Sequence, residues 1–152
     1  MKMVKTMLLA AAIGLLGSAG ARADNPALTA PVKSVYGHYL KIQASLARDS
    51  MTGVAENADA VAKAVQTDAN LLPASVAAEA ETLAKASDLT ATRAAFKPLS
   101  DSLIQYLADH KAKDAYVQVY CPMARANWLQ ADRNVHNPYF GQAMSGCGEI
   151  QN

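Results

Sequence analysis

Apolar side chains recur every three or four residues along most of this chain, a period that fits helices and little else. In "APVKSVYGHYLKIQASLARD" Val35, Tyr39, Ile42 and Leu46 fall on one helical face. Pro31 suits the first turn, where its missing N–H costs nothing. "GVAENADAVAKAVQTD" carries Val54, Ala58, Val61 and Val65 on one stripe and Glu56, Asp59 and Lys63 elsewhere, with Thr52 as the expected N-cap. Asn70 to Pro73 breaks the pattern. "SVAAEAETLAKAS" then reads as a short third helix capped by Ser75. "SDLTATRAAFKPLSDSLIQYLADHK" reads as a fourth, with Phe96, Leu99, Leu103 and Leu107 on its stripe and Ile104 beside it. Pro98 lies inside that helix and is expected to remove one backbone bond and kink it. The fold class predicted is all-α, an up-and-down antiparallel four-helix bundle over residues 31–113.

After Lys113 the composition changes. "DAYVQVYCP" alternates Tyr116, Gln118 and Tyr120 against Val117 and Val119, which predicts a short extended segment. Pro122, Pro138, Gly141, Gly146 and Gly148 interrupt the rest of the chain, and Asn137-Pro138 favours a turn. Residues 114–152 are therefore expected to form an irregular, Cys/Met-bearing tail, a lid or hairpin packed on the bundle as part of the same domain.

The opening residues, MKMVKTMLLAAAIGLLGSAGARA, read as a secretory signal. Lys2 and Lys5 give a basic start, Met7 to Leu16 an apolar run, and Ala21-Arg22-Ala23 a cleavage site, with the cut after Ala23. The run is short for a membrane span, which needs roughly 20 apolar residues. The expected location is the periplasm, with no membrane insertion after the signal is removed and a flexible lead over residues 24–30. Three of the 14 basic residues leave with the signal, so 11 face 13 acidic ones and the net charge becomes −2. That balance argues against a nucleic-acid partner, which calls for a concentrated basic surface. An oxidising compartment permits disulfides.

The stretch from Tyr120 to Gly148 holds both cysteines, the single tryptophan, and Met123 and Met144. Cys121 and Met123 stand two apart as C-P-M, and Met144 and Cys147 three apart as M-S-G-C. Thiolate and thioether sulfurs are soft donors that favour Cu(I) over hard cations. Folding the tail back would bring both pairs to one centre, with Trp128 covering the cation by its ring face. His136 is a further donor in the same tail or an exposed loop residue. The competing reading is a Cys121–Cys147 disulfide that staples the tail, worth about 3 kcal/mol in the chain-entropy model, with the methionines as gap-fillers. The residues leave both open. His38 reads as a surface histidine, and His110 as a cation suited to a helix C-terminus. No Ser-His-Asp order, P-loop, dinucleotide fingerprint or H-E-x-x-H motif is present, so no enzyme is expected.

The tail resembles the domain-of-unknown-function family 3347. Its pattern of Y-C-P-M-A, W-L and N-P-Y-x-G-x-x-M-x-x-C-G is met by Tyr120 to Ala124, Trp128-Leu129, Asn137-Pro138-Tyr139, Gly141, Met144 and Cys147-Gly148. "YLKIQASLARD" looks like the family's first helix, and Arg93, Phe96, Leu99 and Ser100 look like its R-x-x-F-x-x-L-S stretch. The chain departs from the pattern in a short segment between Met123 and Trp128 and in His136, where an aliphatic residue is common. The resemblance implies a small exported protein or module, associated with adaptor proteins of heavy-metal efflux pumps. It implies a setting associated with copper, silver or related metals. Together with the paired C-P-M and M-x-x-C spacing, the expected cargo is Cu(I) or Ag(I), for buffering or handover, with Cys121, Met123, Met144 and Cys147 as ligands and Trp128 and His136 as accessories. The alternative is a structural or protein-interaction module stapled by Cys121–Cys147.

Overall fold

The computed structural model describes residues 28–152. The signal segment, its cleavage site and residues 24–27 of the lead lie outside the described residues. Leu28, from the end of that lead, is already buried in the core.

Four helices form where the periodicity places them. They are α1 (Ala30–Leu46), α2 (Val54–Thr67), α3 (Ala74–Ala84) and α4 (Leu89–Asp109). Every residue of the apolar stripes on α1, α2 and α4 is buried, and Val35, Tyr39, Ile42, Leu46, Phe96, Leu99, Leu103 and Val61 are sealed from solvent completely. Each such aliphatic side chain contributes about 1.5–3 kcal/mol when buried, so the stripes dictate which faces meet. Helix α4 runs through Pro98 without interruption.

Two of the expected caps are replaced. The residue before α2 is Gly53, with φ of +74°, and Thr52 lies outside the helix. Ser75 lies inside α3, which starts after Pro73. In both places backbone geometry ends the preceding turn and no side-chain cap is made. Asp88 does cap α4, accepting a 2.9 Å hydrogen bond from the Ala91 N–H.

The helices pack in chain order, α1 on α2, α2 on α3 and α3 on α4. Between helices α1 and α4, aromatic side chains form the bridge. Tyr36 donates to the Leu103 carbonyl at 2.8 Å. The Tyr39 hydroxyl meets Ser100 Oγ at 2.8 Å, and its ring stacks on Phe96 with centroids 4.9 Å apart. The pairing of 36 with 103 and 39 with 100 makes this seam antiparallel.

A sheet covers the seam and corrects the all-α expectation. Beyond a 3-10 turn at Lys113–Ala115, the chain forms β1 (Val117–Cys121), β2 (Ala126–Gln130) and β3 (Glu149–Ile150). They make an antiparallel sheet in the order β2-β1-β3. The architecture is a helical bundle with a three-stranded sheet laid on it, and β2 rests on both α4 and α1. The alternation seen in β1 is real: Val119 and Cys121 face inward, paired with Trp128 and Ala126. Strand β2 escaped notice because Trp128 and Leu129 are both buried, so a strand covered on both faces shows no alternation.

The outer edge of β2 is finished by tyrosines. The Leu129 N–H donates to the Tyr39 hydroxyl at 3.1 Å, and the Tyr139 hydroxyl donates to the Asn127 carbonyl at 2.7 Å. An unpaired strand edge inside a core would leave these backbone groups unsatisfied. Burial pushes the hydroxyls of Tyr39 and Tyr139 well above their ordinary pKa, so both stay protonated and able to serve.

Candidate functional site

Strand β1 ends in Cys121, whose inward register hides its sulfur from solvent. A four-residue turn, Pro122 to Arg125, leads directly into β2. The short Met123-to-Trp128 segment is therefore a tight hairpin connection. Arg125 takes the left-handed conformation there, with φ of +48°. The Lys97 ammonium donates to the Ala124 carbonyl at 2.7 Å and so pins the turn to α4. The backbone N–H groups of Met123 and Ala124 point back at the Cys121 sulfur, as does the Asn137 side chain.

Cys147 arrives from the other end of the tail. The chain makes a 3-10 turn at Gly141–Met144, and the Cys147 N–H donates to the Met144 carbonyl at 3.0 Å. Two residues later β3 pairs with β1, Tyr120 opposite Glu149. That pairing sets the two sulfurs side by side, 2.9 Å apart. Both are free thiols, not a disulfide. Cys147 is half-buried where Cys121 is sealed.

The pair is electrostatically unequal. Burial works to raise the Cys121 pKa. The Cys147 thiol, the N–H groups of Ala124 and Met123, and the Asn137 side chain outweigh it, and the net direction is down. Cys147 moves up, first because it donates its hydrogen to Cys121, then through burial and the neighbouring negative charge. Of the two, Cys121 gives up its proton more readily.

Asn137 organises the surroundings. It is fully buried. Its amide donates to the Cys147 carbonyl at 2.7 Å, and its side-chain oxygen accepts from the N–H groups of Tyr139 and Phe140 at 2.8 and 3.1 Å. Its own N–H donates to the Ser145 carbonyl, and its carbonyl accepts from Gly141. The tail is thus folded around one amide side chain.

A second cluster clamps this tail to the bundle. Arg93 on α4 donates to the Pro138 carbonyl at 2.7 Å and the Leu46 carbonyl at 3.0 Å. It also pairs with Asp49 at 2.6 Å. The other Asp49 oxygen accepts from the Gln142 N–H at 3.0 Å. Gly141, with φ of +56°, lies directly beneath this pair, where a Cβ would collide with the Asp49 carboxylate and the Arg93 guanidinium. Gly148 is needed for a related reason: a Cβ there would stand 2.6 Å from Val119 and 2.7 Å from Trp128.

The other predicted site residues differ in burial. Met123 projects from the hairpin turn and is 67% exposed. Met144 is half-buried on the 3-10 turn. Trp128 is sealed in the core, its indole N–H bound to Gln130 at 3.0 Å and its ring edge-on to Tyr139. It is a packing residue beneath the sheet, with its polar atom already satisfied. His136 is exposed; its backbone N–H donates to Gln130 and its carbonyl accepts from Gln43. Among the described residues, no three His, Cys, Asp or Glu side chains are grouped to hold a metal ion. Sequence reasoning missed Asn137, Lys97 and Asp49 as supports of this region: Lys97 and Asp49 act on groups distant in the chain, and Asn137 joins its own turn to the Cys147 carbonyl.

Residues 35–115 match the family model described as "Protein of unknown function (DUF3347)". The chain belongs to this family. The DUF3347 segment comprises the apolar stripes and, with them, Asp49, Arg93, Lys97 and Ser100, the bundle's half of the contacts that receive the tail. It stops at Ala115, so the strands and the sulfur pair lie beyond it. No curated protein and no solved structure matches the chain. Among the described residues no helix is long and apolar enough to cross a membrane.

Proposed function

We propose that this DUF3347 protein is an exported, non-catalytic carrier of a soft metal ion, Cu(I) first and Ag(I) next, held by Cys121 and Cys147. It buffers the ion or passes it to a heavy-metal efflux adaptor. The observation that supports this best is the sulfur pair itself, two thiols 2.9 Å apart with backbone N–H groups aimed at one of them. Such N–H groups favour the anionic sulfur, and anionic sulfur is the donor soft ions prefer. Two thiolates sharing an ion, each about 2.3 Å from it if zinc is a guide, need the pair to open. Cys147, half-buried on its turn, is the side that gives. Met123 and Met144, two and three residues from the cysteines, are the neighbouring thioethers that complete the donor set. The basic start, apolar run and Ala21-Arg22-Ala23 of the N-terminal sequence support a periplasmic location for such a carrier.

A second reading is favoured by the same separation. Closing from 2.9 Å to a bond of about 2.05 Å asks for less movement than admitting an ion does. An oxidised Cys121–Cys147 bridge would then staple the tail of an interaction module.

The deciding experiment is an anaerobic Cu(I) titration of the reduced protein against a competing chelator, with the oxidised protein in parallel. One-to-one binding by the reduced form alone is expected, and the Cys121→Ser/Cys147→Ser protein should lose it. Binding of equal tightness by that double variant removes this ligand set.

A further inference from the structure

The two cysteines differ in how they can be reached, and that difference has chemical content. Cys121 is sealed beneath the hairpin turn, with Met123 and Ala124 N–H groups and the Asn137 side chain around its sulfur. Cys147, itself half-buried, follows an exposed turn and stands between Gly146 and Gly148, with its sulfur against that of Cys121. Cys121 is closed to solvent and Cys147 is partly open, so Cys147 is the member of the pair that a disulfide reagent can meet.

We infer that the pair is a stoichiometric thiol–disulfide exchange site for low-molecular-weight disulfides, in which Cys147 is the entry sulfur and Cys121 the resolving one. The inference rests on the same sulfur pair as the copper reading but does not require copper. In the first step the Cys147 sulfur attacks one sulfur of the small disulfide RSSR. A Cys147–SR bond forms, the S–S bond of the reagent breaks, and one RSH leaves carrying the proton of Cys147. In the second step the Cys121 sulfur attacks Cys147. The Cys121–Cys147 bond forms, the Cys147–SR bond breaks, and the second RSH leaves with the proton of Cys121. The protein loses two electrons and two hydrogens, and the small disulfide gains both.

The second step is placed to be fast. The attacking sulfur already lies 2.9 Å from its target, so the mixed disulfide is resolved within the molecule without a search. The buried amide of Asn137 supports both partners, through its bond to the Cys147 carbonyl and its approach to the Cys121 sulfur. The mixed disulfide therefore does not accumulate while Cys121 is present.

The test uses reduced full-length protein, glutathione disulfide as the probe, and a metal chelator throughout. Intact-mass spectrometry should show the parent becoming two hydrogens lighter without a lasting glutathione adduct. Cys121→Ala should trap one glutathione on Cys147. Cys147→Ala should react about tenfold more slowly or worse: Cys121 is the readier thiolate, but it is sealed, and access limits the rate along with thiolate fraction. Circular dichroism melts of both variants check that the fold persists. Should either unfold, a brief pulse of iodoacetamide on the parent, followed by peptide mapping, reads the same order, with Cys147 labelled first. A stable adduct on the parent overturns the resolving role, and equal or faster reaction at Cys121 overturns the order. Because copper is chelated, a protein that exchanges but fails the Cu(I) titration, or the converse, separates the two readings.

Discussion

The bundle and the tail of this protein are held by different physics. From α1 to α4 the contacts are apolar stripes, and polar side chains that reach inside, such as Tyr36, Tyr39, Thr92 and Ser100, are hydrogen-bonded within the bundle. From Tyr116 onward only a few apolar anchors exist, chiefly Val119, Trp128, Leu129 and Tyr139. The rest of the docking is done by polar groups aimed at backbone: Arg93 at Pro138, Lys97 at Ala124, Asp49 at Gln142, Gln43 at His136. Apolar stripes tolerate exchange of like for like, whereas directed hydrogen bonds hold a chain in one place. A bundle can be a generic support; a tail that must present two sulfurs in register cannot.

The largest challenge to this contrast is Trp128→Ala. Trp128 belongs to the one hydrophobic core shared by bundle and sheet, so the loss should be about 3–5 kcal/mol. Chemical denaturation followed by far-UV and tyrosine near-UV signals should show one transition moved to lower denaturant. A tail that melts early while the helices keep their midpoint would mean two independent units, and the contrast would become a domain boundary.

A pair of glycines sharpens the contrast. Gly141→Ala forces a Cβ into the Asp49–Arg93 pair at a left-handed residue, for a loss of about 1–3 kcal/mol. Gly37 stands in α1 with open space around it, and alanine there should stabilise by about 0.4–1 kcal/mol. Thermal melts of the two proteins should move in opposite directions. If both shift alike, the clamp on the tail is not specific.

The smallest effect concerns acid. The Arg93 guanidinium, and then the Gln142 N–H, hold the Asp49 carboxyl below the usual carboxylate range. A depressed folded value means the contribution is present above the unfolded value, near 4, and fades as pH falls through the folded one. The near-UV signal of Trp128 and Tyr139 should therefore weaken from about pH 4 downward. Asp49→Asn, which keeps the shape and tolerates the left-handed backbone at this residue, should lose that acid-sensitive part and start from the weakened state at neutral pH. Identical profiles for the two proteins would show that the pair with Arg93 contributes nothing to docking.

The legibility of the sequence divides along the same line. Val35, Tyr39, Ile42 and Leu46 announce a helix because burial on one face prints a period onto neighbouring residues. Val117 and Val119 announce a strand likewise. Trp128 and Leu129 print nothing, since both faces of β2 are covered. Gly141 shows no local reason for being glycine. Its reason is a carboxylate and a guanidinium contributed by residues 49 and 93. Cys121 and Cys147 could be seen as a pair of soft donors, but not as sulfurs 2.9 Å apart with one sealed and one reachable.

By itself, then, the sequence determined four amphipathic helices, the extended start of the tail, and the collection of sulfur and aromatic residues near the C-terminus. Each of these is a local property, carried by spacing or composition within a few turns of chain. Only the tertiary structure decided that a sheet closes the α1–α4 seam, that Trp128 is core, and that Asn137 and the Arg93–Asp49 pair hold the tail. It also decided that a two-residue strand, Glu149–Ile150, brings Cys147 to Cys121. The physical reason is that hydrogen bonds and close packing act between atoms near in space, while periodicity records only what is near in sequence.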